Sequence, residues 1–592
     1  MLSKVQKRLF STGADAALAV LKKNKIKYVH GYSGGAILPL LDKFHPKYNN
    51  NIEFITHQNE QCAGHAAQGY AKSTGKTAVI ATTSGPGLTN LVTPIQDAYS
   101  DGDPMVILSA QVASNTIGTG AFQEAPSIEI TKSITKWNYR IKNSNEIYPV
   151  IDYAFELAQR GRPGPVHIDI PKDTQTNKIT NFRDNIFDVL PLTDYIPEKK
   201  EKKINNISIP EDILDLLEKS KKPIIIAGKG CLECSKELAI FANKNQIPVT
   251  TTLHAMGCFD EDNYLSLYML GMHGSAAANY AIQEADLIIG LGTRFDDRTT
   301  GNIEKYAPEA FKAYQEKRGG IISVDIVQDN IGKTINPTHT IISNCKSVLK
   351  ILNRRDIPIN REKWLNHIIK LKSEFPFTFN YAPNNAIKTQ EVIDEINRQN
   401  KEKTFYTTGV GNHQMMTSQF ITWKYPRTMI SSGSLGTMGS GLPFAIGTQL
   451  AHPDSRVINI DGDGSFNMTS VDLSTIVNNK LPIKIALMND SRQQMVYIWQ
   501  KLFFDGNIIS TENKNPDYGK LADAYGIDYL LCDNRDDLPF AVDLMLNVSW
   551  PILVDFKVVP DMCTPLVAPG KGLDDMILID DEVIELEGEA PC

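Results

Sequence analysis

The sequence contains no apolar run approaching the roughly 18 residues of a membrane-crossing helix, so a transmembrane protein is not expected. It has no marked excess of one charge: 61 Lys and Arg against 68 Asp and Glu leave −7, and nothing suggests electrostatic binding to nucleic acid. Cysteine is scarce, eight in 592 residues, too few for a disulfide framework. The single CxxC, Cys231 to Cys234, has no second pair and no histidine nearby, so buried or incidental thiols are expected before a zinc or redox centre. Short-period repeats and functional low-complexity tracts are missing too.

What is present is ordinary globular composition, 42 % hydrophobic and 22 % charged, in a chain too long for one core. Short β-branched runs alternate with helical patterns at Thr77–Thr82, Met105–Leu108, Val166–Ile170, Ile224–Ala227, Leu287–Leu291, Ile321–Ile326, Val457–Ile460, Ile483–Met488 and Ile552–Phe556. Strands alternating with helices argue for α/β architecture, here three doubly wound domains with mainly parallel sheets. The charged segment IPEKKEKKINN (Ile196–Asn206) reads as a linker, and a polar stretch from about Arg354 to Asn385 as a second break. Domains at 1–190, 207–353 and 385–592 are expected. The start, MLSKVQKRLFS, is short and basic, and Ala14 to Leu21 already has helical character. Cytoplasm is the default expectation, with organelle import left open.

Chemistry concentrates at VINIDGDGSF (Val457–Phe466), where a strand pattern stops at two aspartates alternating with glycines. A calcium loop fails, because with Asp461 as first ligand its glycine falls at Phe466. A hairpin turn is disfavoured, because a helical pattern follows; Thr469 and Asp472 resemble a capping box. LPIKIALMND then returns to strand composition and ends on Asn489 and Asp490. In such a β-α-β unit the carboxyl ends of neighbouring strands share one sheet edge, where ligands of open α/β sheets bind. Asp463 and Asp490 would then present two oxygen donors to a hard cation such as Mg²⁺ bridging to phosphates, with backbone N–H groups at Gly464 and Ser465 for the phosphate. Two solvated acids at strand ends are the alternative.

GDGSF, an apolar helix and a strand ending in ND, where NN is usual, resemble the thiamine-diphosphate motif. Further stretches resemble one branch of those enzymes, the acetolactate synthase (acetohydroxyacid synthase) large catalytic subunits: GYSGGAILPL, NEQCAGHAAQGYAKSTGK, TTSGPGLTN, GTGAFQEA, GRPGPVHIDIPKD, LGMHG, GTRFDDR, GVGNHQMM, SGSLGTMGSGLP, MVYIWQ and PLVAPGKGLDDMI. The resemblance covers almost the whole chain. It implies an N-terminal domain for the thiamine pyrimidine, a central FAD-binding-like domain, and a C-terminal diphosphate and Mg²⁺ domain ending in a flap.

Residue by residue, the resemblance makes Glu60 the cofactor-activating carboxylate; a bare acid at a helix start is otherwise better read as opposing the helix dipole. Met438 becomes the prop that bends thiamine diphosphate, and Val410, Gly411, Asn412, His413, Gly436, Gly464, Ser465 and Met495 become its other contacts. Gln123 and Lys172 would join Glu60 and Met438 as catalytic residues, and Phe122 and Lys172 would bind substrate. Met495, Val496 and Trp499, at i, i+1 and i+4, would shape the acceptor pocket, although as a bare pattern they are simply core. FAD, structural in this family, would meet Arg162, Gly228, Gly230, Gly271, Met272, His273, Gly292, Arg294, Asp296, Arg298, Asp325 and Asn344. The implied reaction joins decarboxylated pyruvate to a second 2-keto acid, pyruvate or 2-ketobutyrate. A homodimer or homotetramer, with a regulatory small subunit as a possible partner, is implied as well.

Several positions depart from the family pattern: Ser33 for proline, Asn59 for histidine, Gly120 for aspartate, Asn412 for glutamine, Asn344 for an acid and Asp490 for asparagine. A flavin-linked pyruvate oxidase, another 2-keto acid carboligase, and a catalytically silent homologue are the competing expectations.

Overall fold

The computed structural model describes residues 11–48, 51–190, 209–355, 357 and 360–579; the basic start and the segment read as a linker lie outside them, save Ser11. Three parallel sheets follow one another along the chain, as the alternating pattern predicts. The first runs Glu53–Thr56, Tyr28–Gly31, Ala78–Thr82, Met105–Gln111, Pro165–Pro171 and Trp137–Arg140 in spatial order. The second runs His339–Ile342, Gly320–Asp325, Leu287–Leu291, Pro223–Ala227, Val249–Thr251 and Ser266–Met269. The third runs Ile387–Lys388, Ile552–Val559, Lys484–Asn489, Arg456–Gly462, Thr404–Thr408 and Met429–Ile430, and Asp528–Cys532 also pairs with Ile552–Val559. The central strands are buried along their whole length, which is why they read as continuous apolar runs rather than alternating ones.

The first and third sheets are joined by helix Glu60–Thr74 packed on helix Gly441–Ala451. A Cβ on Gly447 would stand 1.7 Å from the Ala66 carbonyl, so only glycine permits this approach. Buried His57 spans the same junction: its Nδ1 lies 2.8 Å from Asp472 Oδ2. Asp472 is therefore not the far half of a capping box. Its Oδ1 accepts from the Gln58 N–H (3.2 Å) and from Thr475 Oγ1 (2.6 Å), while Thr469 Oγ1 donates to the Gly439 carbonyl (2.8 Å). After Gly462 the chain makes three short helical pieces, Asp463–Asn467, Ser470–Asp472 and Leu473–Asn478, in place of one helix.

All seven cysteines among the described residues are free and buried, Cys231 and Cys234 in the core of the central sheet. No helix among the described residues is long and apolar enough to cross a membrane.

Candidate active site

Strand Arg456–Gly462 lies directly beside Lys484–Asn489, with Gly462 opposite Met488. Asp463 and Asp490, each one residue beyond its strand, therefore emerge on the same sheet edge and face one cavity. Both are buried. Burial raises the Asp463 carboxyl, against hydrogen bonds from Asn515 and Asn513; burial and then Asp463 itself push Asp490 well above the usual carboxylate range. Asp463 Oδ2 accepts from Asn515 Nδ2 (2.6 Å) and Asn513 Nδ2 (3.2 Å), and Asp490 Oδ1 from the Arg492 N–H (3.1 Å). Asp490 Oδ2 has no hydrogen-bond partner. Asp461, two residues earlier, is also buried but does not line the cavity; its Oδ1 accepts from the Gly462 N–H (3.1 Å) and lies 3.4 Å from His413 Nε2.

The same cavity is walled by Val410, Gly411, Asn412, His413, Met438, Gly464, Ser465, Met495 and Val496. These positions follow four separate strands, so the topology gathers what the sequence disperses. Asn412, where glutamine is usual, starts helix Asn412–Phe420 and donates from Nδ2 to Gln494 Oε1 (3.1 Å) and the Asp561 carbonyl (3.2 Å). Asn513 and Asn515 were outside the sequence expectations. They lie in an irregular segment after helix Gln494–Phe503, and no motif signals them; only the fold returns them to Asp463.

Gly436, Trp499, Phe122, Gln123, Lys172 and Glu60 do not line this cavity. Glu60 begins its helix buried, accepting at Oε2 from Asn90 Nδ2 (2.9 Å), and Asn59 caps that helix by accepting from the Gln61 N–H (2.7 Å). Phe122 is 89 % exposed, and Gln123 and Lys172 are exposed as well. Gly120 has φ +73°, which an aspartate adopts only under strain, and the turn around it is held by Glu124, which accepts from the Gly118, Gly120 and Ala121 N–H groups. The Met495, Val496 and Trp499 face is not core: helix Gln494–Phe503 buries Tyr497 and Ile498, and leaves Val496 48 % exposed.

In the central sheet, Gly228, Gly292 and Asp325 reach one carboxyl edge, because Ala227, Leu291 and Val324 are in register. Gly228, Gly230 and Gly292 meet backbone to backbone; a Cβ on Gly228 would lie 2.2 Å from the Gly292 carbonyl oxygen. A Cβ on Gly271 would meet the Arg298 carbonyl, which accepts from the Met272 N–H (2.9 Å). Arg298 Nη1 lies 3.0 Å from Met272 Sδ. His273 is buried, which lowers its imidazole to about 4. Arg162 donates to the Tyr99 carbonyl (2.8 Å), and Arg294 to Ser434 Oγ (2.8 Å) and to Asp296 (3.3 Å). Asn344 is a helix cap, accepting from the Ser347 N–H (2.8 Å), so its side chain is already engaged.

Among the described residues no three His, Cys, Asp or Glu side chains gather as a metal-binding group. Two buried acids, one with an unpartnered oxygen, suit a cation that completes its oxygen shell from a ligand's phosphates. Three parallel sheets with such a pair at a carboxyl edge define an α/β enzyme that binds a diphosphate cofactor.

Comparison with known families agrees. Residues 11–130 match the thiamine pyrophosphate enzyme N-terminal TPP binding domain, 210–352 the central domain and 409–556 the C-terminal TPP binding domain. The chain is 44 % identical over 579 residues to the mitochondrial acetolactate synthase of Schizosaccharomyces pombe, covering 96 % of this chain and 86 % of that one. It is 41 % identical over 590 residues to the mitochondrial acetolactate synthase catalytic subunit of Saccharomyces cerevisiae (97 % and 84 %), and 38 % over 587 to the acetolactate synthase large subunit of Lactococcus lactis (97 % and 98 %). The chain belongs to the acetolactate synthase family of thiamine pyrophosphate enzymes.

Proposed function

We propose that this chain is an acetolactate synthase catalytic subunit, decarboxylating pyruvate and transferring the two-carbon unit to pyruvate or 2-ketobutyrate, the first common step toward branched-chain amino acids. The observation that carries this reading is the Asp463–Asp490 pair sharing one cavity with Gly411, His413 and Met438. Bound thiamine diphosphate supplies the nucleophilic carbon and the electron sink for decarboxylation.

The chain's own residues place and activate it. Asp463 and Asp490 would hold Mg²⁺, with Asn513 and Asn515 fixing Asp463 Oδ2. Val410, Gly411, Asn412, His413, Gly464 and Ser465, which line the cavity, would hold the phosphates, and Gly436 approaches Val410. Met438, which lines the cavity, would support the cofactor in its reactive orientation, a proximity effect. Glu60, with Oε2 held by Asn90, would hold and pass a proton at Oε1 toward the cofactor. Gln123, Lys172 and Phe122 bind substrate, with Met495, Val496 and Trp499 shaping the acceptor pocket. FAD would bind as a structural group near the strand ends that carry Gly228, Gly230, Gly292 and Asp325, with Arg162, Gly271, Met272, His273, Arg294, Asp296 and Arg298 as its other contacts.

Glu60 and the exposed Phe122 do not line the cavity of their own chain, which supports a site completed by a second copy in a homodimer. The words "catalytic subunit" in a relative's name support a separate regulatory subunit, and the mitochondrial location named for two fungal relatives supports an organelle.

Incubation with pyruvate, thiamine diphosphate and Mg²⁺, with and without FAD, is expected to yield acetolactate. Acetate and peroxide without acetolactate would favour a pyruvate oxidase, and absence of thiamine diphosphate binding a silent homologue. Glu60→Gln is expected to keep cofactor affinity and lose about 100-fold or more in kcat. Undiminished turnover in that variant refutes its role.

A further inference from the structure

The loop that carries Met438 into the cavity is pinned from outside the third sheet. Ser432 Oγ accepts from the Thr437 N–H (2.9 Å) and donates to Asp97 Oδ1 (2.8 Å). The next two N–H groups, of Gly433 and Ser434, both donate to Asp101, at 3.3 and 2.9 Å. On the other side of Met438, the Gly439 N–H donates to Ser465 Oγ (2.9 Å). Both acids belong to helix Val92–Asp101 of the first sheet, four residues apart and so on one face. Both are buried, and neither lines the cavity.

Like charges at that spacing repel, and on the Asp101 side the fold supplies a cation, Lys72. Lys72 Nζ lies 2.7 Å from Asp101 Oδ2 and 2.9 Å from Asp103 Oδ2, Lys229 pairs with Asp103, and His254 Nε2 lies 3.0 Å from Asp101 Oδ1. The backbone turn before Met438 is thus fastened to carboxylates that are themselves fixed.

We propose that Asp97 and Asp101 are positioning residues of the acetolactate synthase reaction, acting through Ser432, Gly433 and Ser434 to set where Met438 stands in the cavity. The inference rests on the reading of Met438 as a support for thiamine diphosphate. A side chain displaced by about 1 Å at a reacting centre can cost about 100-fold in rate, so a loop anchor is a sensitive point.

The test compares Asp97→Ala, Ser432→Ala, their double variant, Asp97→Asn and Met438→Ala, each as full-length protein with thiamine diphosphate and Mg²⁺. Readouts are kcat, pyruvate KM, and the near-ultraviolet circular dichroism of the bound cofactor. Asp97→Ala and Ser432→Ala are each expected to lower kcat about tenfold or more, to alter the dichroism, and to change pyruvate KM by less than about threefold. The double variant should lose no more than Ser432→Ala alone, because that change already removes the bond to Asp97 together with the one from the Thr437 N–H. Asp97→Asn keeps the Oδ1 acceptor and should retain kcat. If Asp97→Ala does not fold, Ser432→Ala breaks the same bond from the other side. An impaired Met438→Ala beside unchanged Ser432→Ala and Asp97→Ala overturns the inference and leaves the reading of Met438 standing. An unchanged Met438→Ala overturns that reading, and the inference with it.

Discussion

Two buried groups of carboxylates lie within this chain, and they are built on opposite terms. Around helix Val92–Asp101, three acids share Lys72, Lys229 and His254. Burial alone would raise Asp103, yet Lys229 and Lys72 bring it down to about 2; against the same burial, His254 and Lys72 hold Asp101 well below the ordinary carboxylate range. At the edge of the third sheet, Asp463 and Asp490 form no ion pair among the described residues, and both are raised. A charge group whose counter-ions come from the chain serves the fold. One whose counter-ion is withheld is poised for a cation from outside, and burial without compensation is the cost of that readiness.

The largest effect should come from breaking the compensated group. Lys72→Met leaves Asp101 and Asp103 short of a cation in a buried junction, a loss of about 3–5 kcal/mol by comparison with other broken buried pairs. Thermal melting and soluble yield check it; an unchanged melting temperature would mean that Lys229 and His254 suffice. Asp463→Asn should do the reverse. Removing an uncompensated charge leaves the melting temperature of the cofactor-free protein level or higher, while Mg²⁺-dependent thiamine diphosphate binding weakens by about 100-fold or more, beyond the usual cost of losing a supporting partner. Calorimetric titration and melting curves on the same preparation separate the two outcomes.

A milder change sharpens the contrast within the cavity. Asp490→Asn restores the asparagine of the common family pattern and keeps an oxygen donor. It should raise the melting temperature of the cofactor-free protein at neutral pH, because an acid that burial and Asp463 push up must take up a proton on folding and an asparagine need not. The half-saturating Mg²⁺ concentration should shift by less than about tenfold, since one neutral donor replaces one charged one. A variant that binds no Mg²⁺ at all would make Asp490 an indispensable ligand rather than a tolerated departure.

This difference between the acid groups was only half legible in the sequence. VINIDGDGSF and LPIKIALMND name Asp463 and Asp490, because a β-α-β pattern and a glycine-acid turn are local signals, and parallel pairing does the rest. The three parallel sheets were legible for the same reason: buried strands read as apolar runs. Asn513, Asn515, Lys72, Asp97 and Asp101 carry no such mark. Their partners lie between 29 and 335 residues away, and a polar residue in a loop or helix looks solvated until the fold buries it. The misread capping box has the same origin: Asp472 answers to His57, 415 residues distant. Likewise, the spacing of Met495, Val496 and Trp499 fits a buried helix face, but which face is buried depends on what packs against it.

Asp97 marks the boundary of the comparison, and it yields the smallest prediction. It belongs to the compensated group, yet burial and then the neighbouring Asp101 push it up to about 7. The groups around it are His65, whose Nδ1 lies 3.9 Å away, Lys72, Asp101, Asp103 and Ser432. His65 is lowered by burial to about 4, and Asp103 stands at about 2, so Asp97 is the member of this set that titrates near neutrality. An acid that ionises at about 3.9 when unfolded and near 7 when folded keeps its proton longer in the folded state. Its contribution to stability therefore falls as pH rises between those two values and is flat on either side. Asp97→Asn removes the titration and keeps the acceptor for Ser432. The melting temperature of Asp97→Asn relative to the unaltered protein should accordingly rise from pH 5 to pH 8, by an amount on the order of 1–2 °C in a chain this large. A difference that stays constant across that range would mean that Lys72 keeps Asp97 ionised throughout, and the junction would then be fully compensated.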